Sequence, residues 1–296
     1  MKNYLNLLSN VVYTGETKEN RTGVDTLACP PLFFEHNMIS GFPLLTTKKM
    51  GMKSISAELE MFIKGITDKK WLQDRGCNIW NDWGNPEVLG KEIRESGNGD
   101  LPASEIMDLG PIYGYQWRRF GLPYSNGFLG NRPWTPQPEN PMDQLAYAVN
   151  TLKTNPDDRR MVISAWNPTQ LHQMALPPCH YAFTLQHING KLSLNWSQRS
   201  VDAPIGLPFN IASYGLLLEL IAKEAGMIPH MLTGNLIDVH VYKNQIEGVK
   251  KQLLRIPKKL PILILPEIKS IFDWKYTDFE LVGYDPWPRI SMPVAV

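Results

Sequence analysis

Residues 181–198 read YAFTLQHINGKLSLNWSQ. Two β-prone runs, residues 181–187 and 191–198, flank the pair Asn189-Gly190. Asn-Gly is a strong signal of a two-residue hairpin turn, because both central residues of that turn adopt positive φ angles. The stretch therefore predicts an antiparallel β-hairpin near the middle of the chain, and further β-prone runs occur at residues 161–166 and 260–265.

Helical segments surround this strand-rich centre. Apolar residues recur at helical spacing in residues 4–12, before Gly15, and in residues 56–63. Residues 141–152 predict a third helix, with Pro141 in its first turn. The strongest helix prediction covers residues 212–225, whose wide apolar stripe indicates a buried helix that Gly226 ends.

The chain shows no change of composition that would divide it. We therefore expect one α+β domain, residues 1–296, with a mixed, largely antiparallel sheet covered by helices. Two polar stretches look like surface insertions within it. Residues 84–107 are rich in Gly, Glu and Asn, and residues 121–141 contain five prolines.

Composition excludes several classes of protein. Thirty basic and 29 acidic residues give a net charge of +1, so there is no global field that would attract nucleic acid or an anionic membrane. No apolar run is long enough to span a bilayer, and the N-terminal residues lack a secretory pattern. Cys29 and Cys77 fit buried core positions, and the three cysteines are too scattered for a disulfide framework or a zinc site. We expect a cytoplasmic protein without a bound metal.

Cys179 is the candidate nucleophile. Pro177 and Pro178 precede it and hold the chain extended, which would position a reactive thiol rigidly. A buried core cysteine is the alternative interpretation. The adjacent His180 would point to the opposite face of a strand, so we do not assign it as the catalytic base.

Arginines occur at two places that suit phosphate recognition. Arg159 and Arg160 follow two aspartates, so they form either a phosphate-binding pair or a solvated, internally neutralised turn. Arg199 and Ser200 lie at the end of the second hairpin strand and offer a charge and a hydroxyl to a phosphate.

The remaining candidates are polar or aromatic side chains in apolar surroundings. Asn210 either caps the helix that follows it or reads the edge of a pyrimidine, since its amide both donates and accepts. Glu58 lies in an otherwise apolar helix, either half-solvated or placed for function.

Two aromatic pairs complete the set. Trp80 and Trp83 would share one face if their segment were helical, either in the core or as a platform for a flat heterocycle. His240 and Tyr242 would share one polar face of a strand. No Gly-rich phosphate loop or metal-ligand spacing appears, and the combination suits attack by a thiolate on a phosphorylated heterocycle.

A series of longer motifs runs through the whole chain in order. They are NRTG (20–23), TTK (46–48), IWNDW (79–83), DLGPIYGYQWR (108–118), DRR (158–160), SAWNP (164–168), MALPPCH (174–180), QRSVD (198–202), GLPFNIASY (206–214) and MPVAV (292–296). Together they resemble the thymidylate synthase family. The resemblance implies a homodimer whose sheets pack back to back.

The resemblance also implies roles for individual residues. Cys179 would attack C6 of dUMP, with Glu58, Asn210 and Tyr113 as further catalytic residues. The substrate-binding residues would be Arg21, Gln198, Arg199, Ser200, Asp202, Asn210, His240 and Tyr242, joined by Arg159 and Arg160 from the other subunit. The residues near the folate would be Trp80, Trp83, Asp202, Gly206, Phe209 and Ala295.

The reaction implied by the resemblance is reductive methylation of dUMP at C5. Addition of the thiolate makes C5 nucleophilic towards the one-carbon unit of the cosubstrate 5,10-methylenetetrahydrofolate, and polar groups around Glu58 and Asn210 stabilise charge at O4 and relay protons. Tyr113 is a candidate for the loss of the C5 proton. Hydride transfer from the same folate then gives dTMP and dihydrofolate, without a metal or a flavin.

The sequence departs from the usual family pattern at four places. These are residues 203–205, residues 236–237, Gly51 and the pair Glu60-Met61. An extra carboxylate at Glu60 would favour activation of water, so a dUMP 5-hydroxymethylase is the alternative enzyme. Asn210 argues for uracil over cytosine, because an acid would suit the cytosine amine better. RNA binding on the same fold is expected to be secondary at most.

Overall fold

The structure is a computed structural model that describes residues 1–85, 105–124 and 133–294. Residues 86–104 and 125–132, which form the centres of the two predicted insertions, lie outside this part, as does Ala295. The assignment of the two stretches as surface insertions within one domain therefore stays a prediction.

The hairpin predicted at residues 181–198 is confirmed. Strand β5 (His180–Ile188) pairs antiparallel with β6 (Lys191–Asp202), and Leu185 lies opposite Leu194. Asn189 and Gly190 form the turn with φ angles of 50° and 77°, which are the positive values that the hairpin turn requires. The local sequence alone therefore determines this connection.

This hairpin belongs to a seven-stranded sheet with the order β1-β2-β7-β6-β5-β4, and β3 pairs with another part of β7. The only parallel pair among the described residues joins β6 to β7, so the expected largely antiparallel α+β fold is confirmed. A separate two-stranded sheet joins β8 and β9. The remaining strand bounds are β1 Glu16–Lys18, β2 Thr26–Cys29, β3 Leu32–Asn37, β4 Val162–Ser164, β7 Ile228–Tyr242, β8 Ile262–Ile264 and β9 Glu280–Val282.

The helices include all four that the sequence predicts. Their bounds are α1 Lys2–Thr14, α2 Met52–Ile63, α3 Lys70–Gln73, α4 Tyr113–Arg119, α5 Gln144–Thr154, α6 Gly206–Ala225 and α7 Ile246–Leu253. Gly226 adopts a left-handed conformation with φ 68° after α6, as expected of a helix stop. Within the described ranges, no helix combines the length and the apolar character needed to cross a bilayer.

Three predicted helix starts are wrong, and the first is that of α2, which begins at Met52 rather than at residue 56. Helix α5 begins at Gln144 rather than Pro141, because the Asp143 carboxylate accepts a hydrogen bond from the backbone N–H of Ala146 at 3.2 Å and caps the helix there. Helix α6 begins at Gly206, six residues before the predicted start at Ala212. Asn210 therefore lies inside α6 and does not cap it.

Helix α6 packs against the sheet through large rings and close backbone contacts. The Tyr214 ring stacks on Trp196 of β6 with centroids 5.3 Å apart. Below Trp196, Gly234 of β7 leaves room for the indole, since a Cβ at this position would lie 2.5 Å from a ring atom. A second close contact brings Gly114 of α4 against the backbone of Phe62 in α2. These contacts fix α2, α4 and α6 relative to the strands that carry the site.

A buried ion pair joins the helical layer. Arg118 of α4 donates from Nε and Nη2 to the Asp143 carboxylate at 2.7 and 2.9 Å, and from Nη1 to the carbonyl of Ile63 at 2.6 Å. Both charged side chains are almost completely buried. A single carboxylate therefore neutralises Arg118 and caps α5.

Replacement of Asp143 with Asn should destabilise the fold strongly. The change leaves the buried Arg118 guanidinium without a compensating charge, so we expect the free energy of unfolding to fall by about 3 kcal/mol. Urea denaturation followed by circular dichroism measures this loss. Glu247→Gln, which removes an exposed partner of Lys250, is the matched control and should change stability little. Equal stabilities of the two variants would contradict the role of the buried pair.

Candidate active site

A cavity of about 450 Å³ lies beside the parallel strands β6 and β7, and the loop between β1 and β2 forms one of its walls. Its walls bring together seven of the residues singled out from the sequence. These are Arg21, Trp83, Cys179, Arg199, Ser200, His240 and Tyr242. These residues therefore line one site, as the sequence predicts, and their individual roles stay predictions.

Cys179 lies immediately before β5 and is partly buried. Its backbone N–H donates to the Tyr113 hydroxyl at 2.8 Å, and its carbonyl accepts from the backbone N–H of Arg199 at 2.8 Å. Burial raises the pKa of the Cys179 thiol above its ordinary value, while the guanidinium groups of Arg199 and Arg21 act in the opposite direction. The thiol is therefore held rigidly at a cavity wall, where two cations partly offset the effect of burial on its pKa.

His180 is directed away from the thiol, although its ring stacks on that of Tyr113 with centroids 4.3 Å apart. It points to the helical side of the sheet, where its Nδ1 and the Tyr214 hydroxyl form a hydrogen bond of 2.9 Å. Burial lowers the pKa of His180 to about 3, so the ring is neutral at physiological pH. The expectation that His180 is not the base for the adjacent thiol agrees with this geometry.

The guanidinium of Arg199 is held by the residues that precede the thiol. Its Nε donates to the carbonyl of Pro178 at 3.0 Å, and its Nη2 donates to that of Pro177 at 2.8 Å. Arg21 is exposed and forms no ion pair with any residue of the described ranges. Two guanidinium groups and the Ser200 hydroxyl thus line one cavity, an arrangement suited to a phosphate dianion.

Arg159 and Arg160 lie elsewhere. Both are exposed, precede β4 and do not line the cavity of their own chain. Arg160 forms a bidentate ion pair with Asp158, at 3.0 and 2.8 Å. The structure of one chain therefore leaves their predicted contact with a second subunit untested.

Asn210 and Gln198 form a polar link behind the cavity wall. Gln198 Nε2 donates to Asn210 Oδ1 and to the carbonyl of Ser200, each at 3.0 Å, while its Oε1 accepts from Trp196 Nε1 at 3.1 Å. These bonds orient the Asn210 amide, because its oxygen already accepts a hydrogen bond. Its Nδ2 donors have no partner among the described residues and are available to a ligand.

Glu58 of α2 belongs to a network that reaches the nucleophile. Trp80 Nε1 donates to Glu58 Oε1 at 2.7 Å, and desolvation raises the pKa of Glu58 to about 7, although this hydrogen bond opposes the shift. The Trp80 ring contacts that of Tyr113, whose hydroxyl accepts from Cys179. Burial raises the pKa of Tyr113 well above its ordinary value. A carboxyl whose pKa is raised to about 7 is thus connected to the backbone of Cys179 by two side chains.

The residues expected near a folate occupy neighbouring positions around α6. Trp80 and Trp83 lie in turns rather than in a helix, but their rings are in edge contact with centroids 5.9 Å apart. Gly206 and Phe209 lie in the first turns of α6, and the Asp202 carboxylate accepts from the backbone N–H of Ile205 just before the helix at 3.1 Å.

Phe209 also lines a second cavity, of about 740 Å³. Its walls carry Lys48, Lys49 and Arg289, three cations that sequence reasoning did not single out.

Sequence reasoning also missed two charged residues of the first cavity, Lys18 and Asp238, although their positions in the sequence could have indicated them. Asp238 lies two residues before His240 on the same strand face, and Lys18 lies just before the loop that carries Arg21.

The unusual Glu60 does not line either of these cavities. Its carboxylate pairs with Lys64, lies 3.9 Å from Arg75 Nε and accepts from the backbone N–H of Tyr276 at 3.0 Å. The side chain is almost completely buried in this network. Among the described residues, no group of three or more His, Cys, Asp or Glu side chains is arranged to hold a metal ion.

A comparison of the sequence with known protein families identifies the chain. The profile of the family described as Thymidylate synthase matches residues 2–296, which is essentially the whole sequence. The match covers Cys179, the strands that carry Arg199 and His240, and the helix that carries Glu58. The chain therefore belongs to the thymidylate synthase family.

Proposed function

We propose that the protein catalyses the reductive methylation of dUMP at C5 by 5,10-methylenetetrahydrofolate, giving dTMP and dihydrofolate. Family membership supports an enzyme of the methyltransferase kind that acts in dTMP biosynthesis and uses a folate cosubstrate. The observation that carries the proposal is a single cavity lined by a thiol, two arginines, a serine, a histidine and a tyrosine.

The phosphate of dUMP would bind Arg21, Arg199 and Ser200. A dianion between two guanidinium groups gains charge-assisted hydrogen bonds, and the carbonyls of Pro177 and Pro178 already hold Arg199 in place. His240 and Tyr242 lie on the same face of β7, in the same cavity, and would bind the sugar hydroxyl.

The uracil ring would lie between Cys179 and Asn210. Since Gln198 occupies the Asn210 oxygen, the amide N–H groups are free to donate to O4 of uracil. Gln198 and Asp202 act behind this contact, where Gln198 orients Asn210 and Asp202 fixes the start of α6.

The nucleophilic step joins Cys179 Sγ to C6 of the ring. Formation of this bond moves an electron pair towards O4, where Asn210 and the Glu58 network stabilise the negative charge. Arg199 and Arg21 favour the thiolate, because cations lower the pKa of a thiol. The resulting nucleophilic C5 attacks the one-carbon unit, and loss of the C5 proton then expels tetrahydrofolate and leaves an exocyclic methylene. Hydride from this tetrahydrofolate reduces the methylene to the methyl group as Cys179 leaves C6, which gives dTMP and dihydrofolate.

The folate would lie over the ring against Trp80, Trp83, Gly206 and Phe209, with Ala295 as a further expected contact. Trp83 lines the cavity of Cys179, and Phe209 lines the second cavity. An indole provides a flat apolar surface for a heterocycle and excludes water from the reacting carbon.

A dUMP 5-hydroxymethylase is the second candidate, since family membership does not separate the two reactions. That enzyme would let water, rather than hydride, capture the exocyclic methylene at C5. The unusual Glu60 raised this alternative, but its carboxylate is neutralised by Lys64 and bound to Tyr276. This arrangement supports the reductive route.

We also propose that two copies form a homodimer through the outer face of the seven-stranded sheet. This face carries exposed apolar residues on three strands, Phe33, Val162 and Ile237, while their neighbours Phe34, Ile163 and Leu236 are buried on the helical side. Arg159 and Arg160 precede β4 at the edge of this face and would reach the cavity of the partner. The enzyme would work in the cytoplasm.

Identification of the product tests the proposed reaction directly. Incubation of the protein with dUMP and 5,10-methylenetetrahydrofolate should form dTMP and dihydrofolate in equal amounts, measured by chromatography and by the absorbance of dihydrofolate. Release of 5-hydroxymethyl-dUMP without dihydrofolate would instead select the second candidate.

Mixing two inactive variants tests both the nucleophile and the shared site. Cys179→Ala should bind dUMP without turnover, and Arg159→Ala/Arg160→Ala should turn over poorly. After mixed refolding, each heterodimer has one intact site, so about a quarter of all sites should be active. Cys29→Ala, at a buried cysteine outside this cavity, should keep full turnover. Turnover by Cys179→Ala alone would refute the nucleophile, and an inactive mixture would refute the contribution across the interface.

The pH dependence of turnover tests Glu58. Glu58→Gln should lower kcat by about 100-fold and remove an inflection near pH 7. Trp80→Phe removes the donor that lowers the pKa of Glu58, so the inflection should move to higher pH. Because the raised pKa makes the native state retain a proton that the unfolded chain loses, stability should decline as pH rises from the ordinary carboxyl range to about 7, and Glu58→Gln should flatten this decline. An inflection unchanged in both variants would exclude Glu58 as its source.

A further inference from the structure

The loop between β1 and β2, residues 19–25, forms one wall of the cavity through Asn20, Arg21 and Thr22. Asn20 fixes the shape of this loop from within. Its Oδ1 accepts from the N–H and the hydroxyl of Thr22 at 2.9 and 2.7 Å, and its Nδ2 donates to the carbonyl of Val24 at 2.7 Å. Arg21 is thus carried by a loop with a defined internal conformation.

Both ends of this loop are tied to the end of β7. At one end, Lys18 Nζ lies 2.7 Å from Asp238 Oδ2. At the other end, Lys243 Nζ lies 2.8 Å from Asp25 Oδ2, and the backbone N–H of Lys243 donates to the carbonyl of Asp25 at 2.9 Å. Asp238 and Lys243 flank the segment of β7 that carries His240 and Tyr242.

We propose that Asp25 and Lys243 are positioning residues that hold Arg21 ready for the phosphate of the substrate, with the pair Lys18–Asp238 as the second brace. This inference rests on the proposed binding of dUMP in this cavity. Neither Asp25 nor Lys243 lines the cavity, so their pair acts only through the loop. A loop already held in its binding conformation loses less conformational entropy when the ligand binds.

The two braces differ in their electrostatic role. Asp238 lines the cavity, where an unpaired carboxylate would repel a phosphate, and Lys18 at 2.7 Å neutralises it. Asp25 and Lys243 are both partly exposed, with 41% and 44% of their side-chain surfaces accessible. Their ion pair is therefore screened by salt, and its effect on binding should be modest and depend on ionic strength.

A comparison of two ligands tests the proposal. We expect Asp25→Asn to raise the Kd of dUMP about threefold at low salt, because Arg21 is then held less firmly. The Kd of deoxyuridine, which lacks the phosphate, should not change, and neither should kcat. The charge swap Asp25→Lys/Lys243→Asp should restore most of the affinity for dUMP, and high salt should reduce the difference between Asp25→Asn and the wild type.

Glu267→Gln is the matched control, because it removes a surface ion pair with Lys223 at 2.9 Å outside the cavity. It should leave both ligands unaffected. An unchanged Kd of dUMP in Asp25→Asn, or an equal loss for dUMP and deoxyuridine, would overturn the proposal. A wild-type protein that does not prefer dUMP to deoxyuridine would instead contradict the proposed function, so the two failures are distinguishable.

Discussion

The parallel pairing of β6 with β7 is the constraint on which the site depends. Its register places Ser200 opposite Asp238 and Asp202 opposite His240. The neighbouring pairing of β5 with β6 then brings Cys179 beside Arg199, whose backbone N–H donates to the Cys179 carbonyl. A shift of one residue in either pairing would turn the cavity side chains to the helical face, because side chains alternate along a strand.

The parts of the fold that local sequence determines were predictable, and the parts that tertiary contacts determine were not. The turn at Asn189-Gly190 needs only local backbone preferences. Strand β7 is the longest in the sheet, yet the sequence indicated only its last residues, since Pro229 and Gly234 interrupt the β pattern. Gly234 is required there by the indole of Trp196, a contact that no local pattern reveals. The early start of α6 is a related case, because Pro208 is tolerated in a first turn but discourages a helix prediction.

In the candidate site, too, features set by local sequence were predictable and features set by tertiary contacts were not. Alternation of side chains predicts that His180 is directed away from Cys179 and that His240 lies with Tyr242, and the last two line one cavity. Residue type alone could not show that Trp80 binds Glu58, that Gln198 orients Asn210, or that Glu60 is neutralised by Lys64, because each partner is distant in sequence or one of several alternatives. The surroundings of Arg159 and Arg160 could not be derived from local sequence, because the contacts of exposed side chains depend on how two copies of the chain associate.

The hydrogen bond from the backbone of Cys179 to Tyr113 restricts the direction in which the Tyr113 hydroxyl can donate its own hydrogen. An amide hydrogen directed at the phenol oxygen forces the hydrogen of that hydroxyl to point elsewhere. Because the pKa of Tyr113 lies well above its ordinary value, the ring does not become a phenolate under physiological conditions. The Tyr113 hydroxyl is therefore neutral, and its hydrogen is directed away from the Cys179 amide, where it can be donated to a water molecule or a ligand.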